Sequence, residues 1–212
     1  MIPHMKTNLV SVPSAGKIRN AMATALVLAA TTVINAQSFS EGDNVLGVGV
    51  GIGGNYGVGF SGSGVSQTPA IALHFDHGMG DLGPGTWGLG GFVGYKTYKY
   101  EYDNVYFSGN YRTSYKWTYL VIGARGTWHY NEWHGNDKLD TYGGLMLAYR
   151  AATFKDETNY PSGSVTFNAG TYSGISFTGL VGARYYFTDK IGAYLEAGYG
   201  VSVLQLGLAV KL

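Results

Sequence analysis

The last nine residues of the chain, LQLGLAVKL, alternate strictly between apolar and other side chains. Side chains of a β-strand point in turn to its two faces, so one face of this segment would be purely aliphatic. That face comprises Leu204, Leu206, Leu208, Val210 and Leu212. Such a face either packs in a soluble core or meets the lipid of a membrane. The rest of the sequence has to decide between these two environments.

The N-terminal region has the pattern of a secretory signal peptide. Lys17 and Arg19 precede an uncharged, apolar run, Ala21–Ala36, and a polar stretch follows it. A basic region, a short apolar region and a small residue at the cleavage point are the three parts of such a peptide. We therefore expect residues 1–36 to be removed and 37–212 to form one domain. An uncleaved anchor is the alternative, although a membrane-spanning helix needs roughly 20 residues.

The composition is unusual for a soluble domain. Charged residues make up 13% of the chain, against about 25% in a typical soluble protein. There are 34 glycines, 18 tyrosines and no cysteine, which excludes disulfide and thiolate chemistry. Without residues 1–36 the chain has 11 basic and 13 acidic residues, a net charge of −2. We therefore expect no nucleic-acid partner.

Eight segments of the chain alternate in the manner of β-strands. Seven precede the C-terminal strand: Val45–Gly54, Gln67–His77, Trp87–Tyr100, Lys116–Tyr130, Thr141–Phe154, Ser176–Thr188 and Ile191–Tyr199. Compact connections follow the second, fourth and sixth strands. The connections after the first, third and fifth strands are long and polar: Asn55–Ser66, Glu101–Tyr115 and Lys155–Ser173.

One face of these strands is apolar, and the other mixes small residues with the charges of the strand interiors. The charged residues are Asp76, Lys96, Arg125, Arg150, Arg184 and Glu196. So few charges do not make a water-exposed surface, whereas apolar faces toward lipid and a small, polar interior suit a membrane barrel. The even strand number with alternating connections predicts an all-β, eight-stranded antiparallel up-and-down transmembrane β-barrel. A soluble exported barrel of the lipocalin kind is the alternative.

Aromatic residues cluster near the predicted strand ends, as they do in the interfacial girdles of membrane barrels. The candidates are Trp87, Tyr95, Trp117, Trp128, Tyr130, Tyr185 and Phe187. The simpler explanation, that tyrosine favours strands, accounts for the number of tyrosines and not for their positions. We therefore predict two girdles, one at each end of the strands.

The interior charges predict an ion-pair network, because an unpaired charge in a low dielectric is costly. A tight turn joins strands six and seven, which places Gly182 opposite Glu196 and Arg184 diagonal to it. We predict that Glu196 pairs with Arg184 and with Arg125. Solvated charges in a water-filled lumen are the alternative.

In this architecture the chain resembles the small eight-stranded outer-membrane barrels of Gram-negative bacteria, the OmpA-barrel and OmpX type. The resemblance covers Asn44–Leu212, and it rests on the signal peptide that precedes this range, the alternating strands and connections, and the C-terminal strand. It implies location in the outer membrane, contact with its lipid, and insertion by the barrel-assembly machinery, which recognises that strand. The family's C-terminal strand usually ends on an aromatic residue, whereas this one ends on Leu212.

Three functions are open to such a chain. The first is a structural or surface-interaction role, in which long loops rich in Tyr, Asn, Ser and Gly contact a surface ligand. The second is a narrow porin-like channel, although eight strands enclose a space that side chains nearly fill. The third is a lipid-modifying enzyme, for which His74 and Asp76 share the inner face at i, i+2 spacing but have no matching serine.

We favour the first of these functions and expect a monomer without catalytic residues. We also expect no cofactor and no metal site. His129 and His134 could be taken for metal ligands, but their spacing is not one that metal sites use, and no cysteine or acidic cluster joins them.

Overall fold

The computed structural model describes residues 38–54, 64–106, 109–159, 171 and 173–212. These residues form nine β-strands: β1 (Asn44–Ile52), β2 (Val65–Gln67), β3 (Ala70–Leu82), β4 (Gly85–Tyr106), β5 (Gly109–His129), β6 (Leu139–Asp156), β7 (Gly174–Tyr186), β8 (Ile191–Gly198) and β9 (Leu204–Lys211). The described part of the chain contains no helix of the length and hydrophobicity needed to span a membrane. Residues 1–36 lie outside it, so their assignment as a signal peptide stays a prediction.

The strands form one closed antiparallel sheet. Hydrogen-bonded neighbours follow the order β2-β4-β3-β1-β9-β8-β7-β6-β5, and β4 also pairs with β5, which completes the ring. The short β2 pairs with β4 next to β3, so the wall consists of eight strands. The predicted eight-stranded up-and-down barrel is therefore confirmed. The first and last strands of the wall, β1 and β9, pair to close it, with Val48 opposite Leu208.

The long-loop end of the barrel differs from the prediction. The sequence places a connection at Glu101–Tyr115, but the ladder between β4 and β5 continues until Tyr106 faces Gly109. Tyr recurs on both arms of this hairpin, with Val105 on the first and Thr113 on the second, and these residues favour strands even beside Asn and Gly. The second predicted strand is instead interrupted at Thr68 and Pro69, which separate β2 from β3.

The barrel has a tall side and a low side. Strands β4, β5 and β6 contain 22, 21 and 18 residues, whereas β1, β8 and β9 contain 9, 8 and 8. The part of β4 from Tyr98 to Tyr106 lies beyond the end of β1 and adds roughly 30 Å along the strand direction. Three neighbouring strands thus project past the rim at the long-loop end.

The two faces of the sheet have opposite characters. Val50, Ile122, Leu145 and Phe177 are each more than half exposed on the outer face. The inner face buries polar and charged side chains as well as apolar ones. The C-terminal strand follows the same rule, because Leu206 and Leu208 are exposed while Gln205 is buried. This distribution of side chains suits a barrel with hydrocarbon outside and a packed interior. It is the inverse of the distribution in a soluble protein.

Candidate functional site

A layer of ion pairs fills the barrel interior toward the short turns. Arg125 Nε lies 3.0 Å from Asp76 Oδ1, and Arg125 Nη2 lies 2.8 Å from Glu196 Oε2. Arg184 pairs with the second oxygen of Asp76, and its Nη1 lies 3.5 Å from Asp140 Oδ2. The exposed fraction of these five side chains is 5% or less. Asp76 is the centre of this layer, because it bridges the two guanidinium groups.

Strand register puts these side chains at one height. Asp76 on β3 lies opposite Gly90 on β4, which in turn lies opposite Arg125 on β5. Gly90 has no side chain, so Arg125 reaches across β4 to the carboxylate. Gly182 lies opposite Glu196, as predicted. A Cβ on Gly182 would lie 2.5 Å from the Tyr142 ring, so this glycine makes room for that ring.

The partners within the layer differ from the prediction. Glu196 pairs with Arg125, but the carboxylates paired with Arg184 are Asp76 and Asp140. The cause is register, because Arg184 lies directly opposite Asp140 across the β6–β7 ladder. Glu196 instead accepts a hydrogen bond from the Tyr142 hydroxyl at 3.1 Å. The two lone pairs of one carboxylate oxygen therefore serve an arginine and a tyrosine.

Two of the six predicted interior charges lie outside this layer. Lys96 is buried, and its Nζ donates hydrogen bonds to the carbonyl oxygens of Gly53 and of Gly54, the latter at 3.1 Å. Its charge is thus met by backbone dipoles at the end of β1 rather than by a carboxylate. Arg150 is half-buried on β6, opposite Val121 on β5, and the structure does not bring it to the ion pairs.

A buried histidine extends the layer to the short-turn mouth. His129 Nδ1 lies 2.8 Å from Asp140 Oδ1, and its Nε2 lies 2.9 Å from Thr127 Oγ1. Hydroxyl, imidazole and carboxylate stand here in the order that hydrolases use. However, all three side chains are buried, and the ring of Phe39 stacks on the imidazole at 3.9 Å. The three side chains are thus packed against Phe39, and His129 also lines a cavity of about 280 Å³ at this mouth.

His74, the other histidine considered for catalysis, is also buried. Its ring lies edge-on to Tyr194, with centroids 4.7 Å apart. A Cβ on Gly47 would collide with the imidazole, so that glycine provides its space. The carboxylate of Asp76 is engaged by two arginines and is not presented to His74 as a general-base partner.

An apolar layer fills the lumen toward the long loops. Its members are Ala70, Ala72, Phe92, Val121, Tyr142, Met146, Ala148, Leu180 and Val201. Val201 belongs to the β8–β9 turn, and a Cβ on Gly94 of β4 would lie 3.0 Å from its Cγ1. The turn therefore folds across the lumen. A cavity of about 10 Å³ lies between this layer and Glu196, the space of roughly one water molecule.

An aromatic cluster covers the inner face of the projecting strands. Tyr98, Trp117 and Tyr119 are buried there. The rings of Trp117 and Phe154 are 5.2 Å apart, and Tyr100 stacks on Tyr115 at 6.3 Å. The cluster joins β4, β5 and β6 and stiffens the part of the sheet that extends past the rim.

Trp117 is therefore not a girdle residue, and its prediction is wrong. From Trp117 to His129 the odd-numbered residues of β5, including Arg125, point inward, and Trp117 is 6% exposed on the inner face. Tyr130 stacks on the exposed Trp128 at 5.4 Å. The remaining girdle candidates are exposed and placed on the outer face: Trp87, Tyr95, Trp128, Tyr185 and Phe187. Their position relative to the membrane interface stays a prediction.

The sequence interpretation did not include Asp140, Tyr142 or Phe39 in the interior. Asp140 stands at the end of a polar segment, NEWHGNDKLD, that has the composition of a turn. Its spacing from Tyr142 and Met146 on the inner face of β6 is the signal that could have identified it. Phe39 precedes the first strand, where periodicity carries no information.

We compared the chain with known protein families, curated proteins and solved structures, and only solved structures are similar to it. No family model matches the sequence, and no curated protein matches it. The outer membrane protein OprG from Pseudomonas aeruginosa is 15% identical, with a TM-score of 0.49 over 83% of this chain and 98% of OprG. Ail, the attachment invasion locus protein of Yersinia pestis, solved in complex with the heparin analogue sucrose octasulfate, is 12% identical. Its TM-score is 0.44 over 81% of this chain and 98% of Ail.

The barrel itself shows its environment. The closed sheet leaves no unpaired edge in its wall, its outer face is apolar, and the charges of the ion-pair layer are paired inside. This is the construction of bacterial outer-membrane barrels. The structure is that of an eight-stranded transmembrane β-barrel.

Proposed function

We propose that the protein is a sealed barrel that presents the projecting β4–β5 hairpin and the adjoining part of β6 to a partner at the cell surface. The observation that carries this proposal is the combination of a filled lumen with a projecting, stiffened sheet. A surface-interaction role is thus favoured over the narrow channel, and the packed state of His129 and Asp140 weighs against an enzyme.

The filled lumen supports the sealed state. Ions would have to cross the layer in which Asp76 bridges Arg125 and Arg184, and then the apolar layer around Phe92 and Val201. Opening the first layer separates buried charges, which costs several kcal/mol. The second layer would have to lose packed side chains at about 25 cal/mol per Å² of apolar surface.

The projecting sheet supports the contact role. Its outer face carries a cross-strand ion pair in which Arg112 Nε lies 2.8 Å from Asp103 Oδ1. Its inner face is held by the aromatic cluster. Rigid surfaces lose little entropy when they bind, and Tyr, Trp and Arg are the side chains that most often dominate interfaces. Tyr102 on this hairpin is 56% exposed.

The first experiment tests which end of the barrel faces outward. The chain has no cysteine, so Asp103→Cys provides a single thiol on the hairpin. Lys138→Cys provides the matched control at a short turn. A membrane-impermeant maleimide should label the first variant on intact cells and the second only after lysis. Labelling of Lys138→Cys on intact cells would reverse the orientation and refute the proposal.

The second experiment tests the contact role. Replacing residues 102–113 by an Asn-Gly turn leaves Glu101 opposite Ser114 and closes the hairpin with a two-residue connection. Cells producing this variant should lose adhesion to protein-coated and abiotic surfaces while the barrel keeps its heat-modifiable gel migration. Adhesion equal to that of the unmodified protein would contradict the proposal.

The third experiment separates the sealed barrel from the narrow channel. Refolded protein added to a planar lipid bilayer should produce no discrete conductance steps. A stable open level would favour the channel instead.

A further inference from the structure

The six residues ahead of β1, Ser38–Asp43, lie across the short-turn mouth of the barrel, and we call them the strap. Phe39 is 3% exposed and lies in the mouth, beside a cavity of about 280 Å³ that Asp81 and Thr86 also line. Its ring stacks on His129 with an interplanar angle of 22°. The guanidinium carbon of Arg184 lies 5.9 Å from the centre of the same ring. One side chain of the strap thus covers the end of the ion-pair layer.

Strand β3 is shaped to receive the strap. Gly42 N–H donates to the carbonyl of Gly78 at 2.9 Å, and Gly78 N–H donates to the carbonyl of Asp43 at 2.9 Å. A Cβ on Gly78 would collide with the carbonyl oxygen of Ser40. The β3–β4 register also shifts between Gly78 and Gly80, as at a β-bulge, which redirects a strand locally. These contacts give the strap a defined position against β3.

The last strand holds the strap from the other side of the closing seam between β1 and β9. Lys211 Nζ lies 2.9 Å from Asp43 Oδ2 and 3.3 Å from the Ser38 carbonyl oxygen. The same Asp43 oxygen accepts a hydrogen bond from Ser40 N–H at 2.9 Å. Because Gly78 and Lys211 lie on opposite sides of the seam, the strap can make both sets of contacts only when β9 has paired with β1.

We propose that the strap is a latch, which seats after the barrel has closed and then seals the short-turn mouth and slows its reopening. Contacts that are absent from the folding transition state slow unfolding and leave the folding rate nearly unchanged. The contacts of the strap with Lys211, His129 and Arg184 have this property, since they join β9, β5 and β7 to the residues ahead of β1 and need the closed barrel. This inference is independent of the proposed contact role at the opposite end of the barrel.

The kinetic test uses Phe39→Ala, which removes the ring and changes no residue of a strand. In detergent micelles its unfolding rate in denaturant should rise roughly tenfold, and its folding rate should change by less than about twofold. Gly78→Ala should have the same effect, because its Cβ displaces the strap. Gly126→Ala is the matched control, since a Cβ there meets no atom within 4 Å.

The access test uses Thr127→Cys, whose position is 4% exposed in the barrel. A Cβ on Gly88 would lie close to both Thr127 Oγ1 (2.8 Å) and Phe39 Cε1 (3.2 Å), so this position lies beneath the Phe39 ring. Modification of the cysteine by a small methanethiosulfonate should accelerate about tenfold when Phe39→Ala is added. Adding Phe187→Ala, on the exposed outer face, should leave the rate unchanged.

Two results would overturn the latch. One is an unfolding rate that is unaffected by Phe39→Ala, or a folding rate that falls as much as the unfolding rate rises. The other is equal modification of Thr127→Cys with and without the Phe39 ring. If Gly78→Ala fails to fold, the two measurements on Phe39→Ala decide the matter alone.

Discussion

Asp76 and Arg125 form a buried ion pair across an intervening strand, because the residue between them in the sheet is Gly90. The carboxylate and the guanidinium are 3.0 Å apart although β4 separates the strands that carry them. Because Gly90 has no side chain, nothing projects from the inner face of β4 at this point. The arginine side chain spans β4 at this level and reaches the carboxylate on β3.

This relationship makes Gly90 a sensitive position. In Gly90→Ala the added Cβ would collide with the Phe75 carbonyl oxygen and lie 3.0 Å from the Asp76 Cα. We expect a loss of about 1–3 kcal/mol in the free energy of unfolding, typical of overpacking. Denaturant titration in micelles measures it. Gly126→Ala on the outer face of β5 should change stability by no more than about 0.5 kcal/mol.

Removing one member of the ion-pair layer should cost more than removing two. Arg125→Met leaves Glu196 and Asp76 buried with unbalanced charge, a loss of about 3–5 kcal/mol. The double variant with Glu196→Gln should recover part of that loss. Arg112→Met, which changes an exposed arginine of the projecting hairpin, should leave the free energy of unfolding nearly unchanged. A double variant no more stable than Arg125→Met would contradict the pairing.

The two layers of the lumen should block ions independently. In a variant with Phe92→Ala and Val201→Ala the apolar layer loses its two side chains that meet across the lumen. Because the ion pairs of Asp76 remain, the planar bilayer should still show no conductance steps. Ile122→Ala, on the outer face, controls for weaker packing. Discrete steps in the double variant would show that the charged layer leaves a passage.

The aromatic cluster should stabilise the projecting sheet more than the barrel. In Trp117→Ala the contacts with Phe154 and Tyr115 are lost, and we expect protease to cleave the β4–β5 hairpin several-fold faster. The heat-modifiable migration of the remaining barrel should not change. Tyr95→Ala, on the outer face, is the control. Equal sensitivity of the two variants would contradict the role of the cluster.

Alternation in the sequence predicted the eight strands of the wall and their faces, but not how far β4 and β5 extend. Each strand must present aliphatic side chains to hydrocarbon, and this requirement repeats at every second residue from Leu46 to Leu212. The inward position of Trp117 follows from the same rule, because it has the parity of Arg125. Its placement in a girdle was an error of interpretation rather than a lack of information.

Alternation in the sequence could not predict which charged side chains pair with each other inside the barrel. Contacts across the lumen, such as Arg184 with Asp76, join strands that are not neighbours in the sheet. They depend on the stagger and tilt with which the sheet closes, and these are properties of the whole ring. The interior position of Asp140 was not predicted for a different reason, because the composition around this residue is typical of a turn.

Because the strands differ in height, the sides of the barrel are not equivalent to neighbours in the plane of the membrane. A barrel with an even rim looks the same from every side, whereas here β4, β5 and β6 rise on one side only. A partner in the same membrane would approach the low side, over β8 and β9, without meeting the sheet. A partner from outside would meet one flank of it first. Rotation of the barrel about its own axis thus changes what each neighbour encounters.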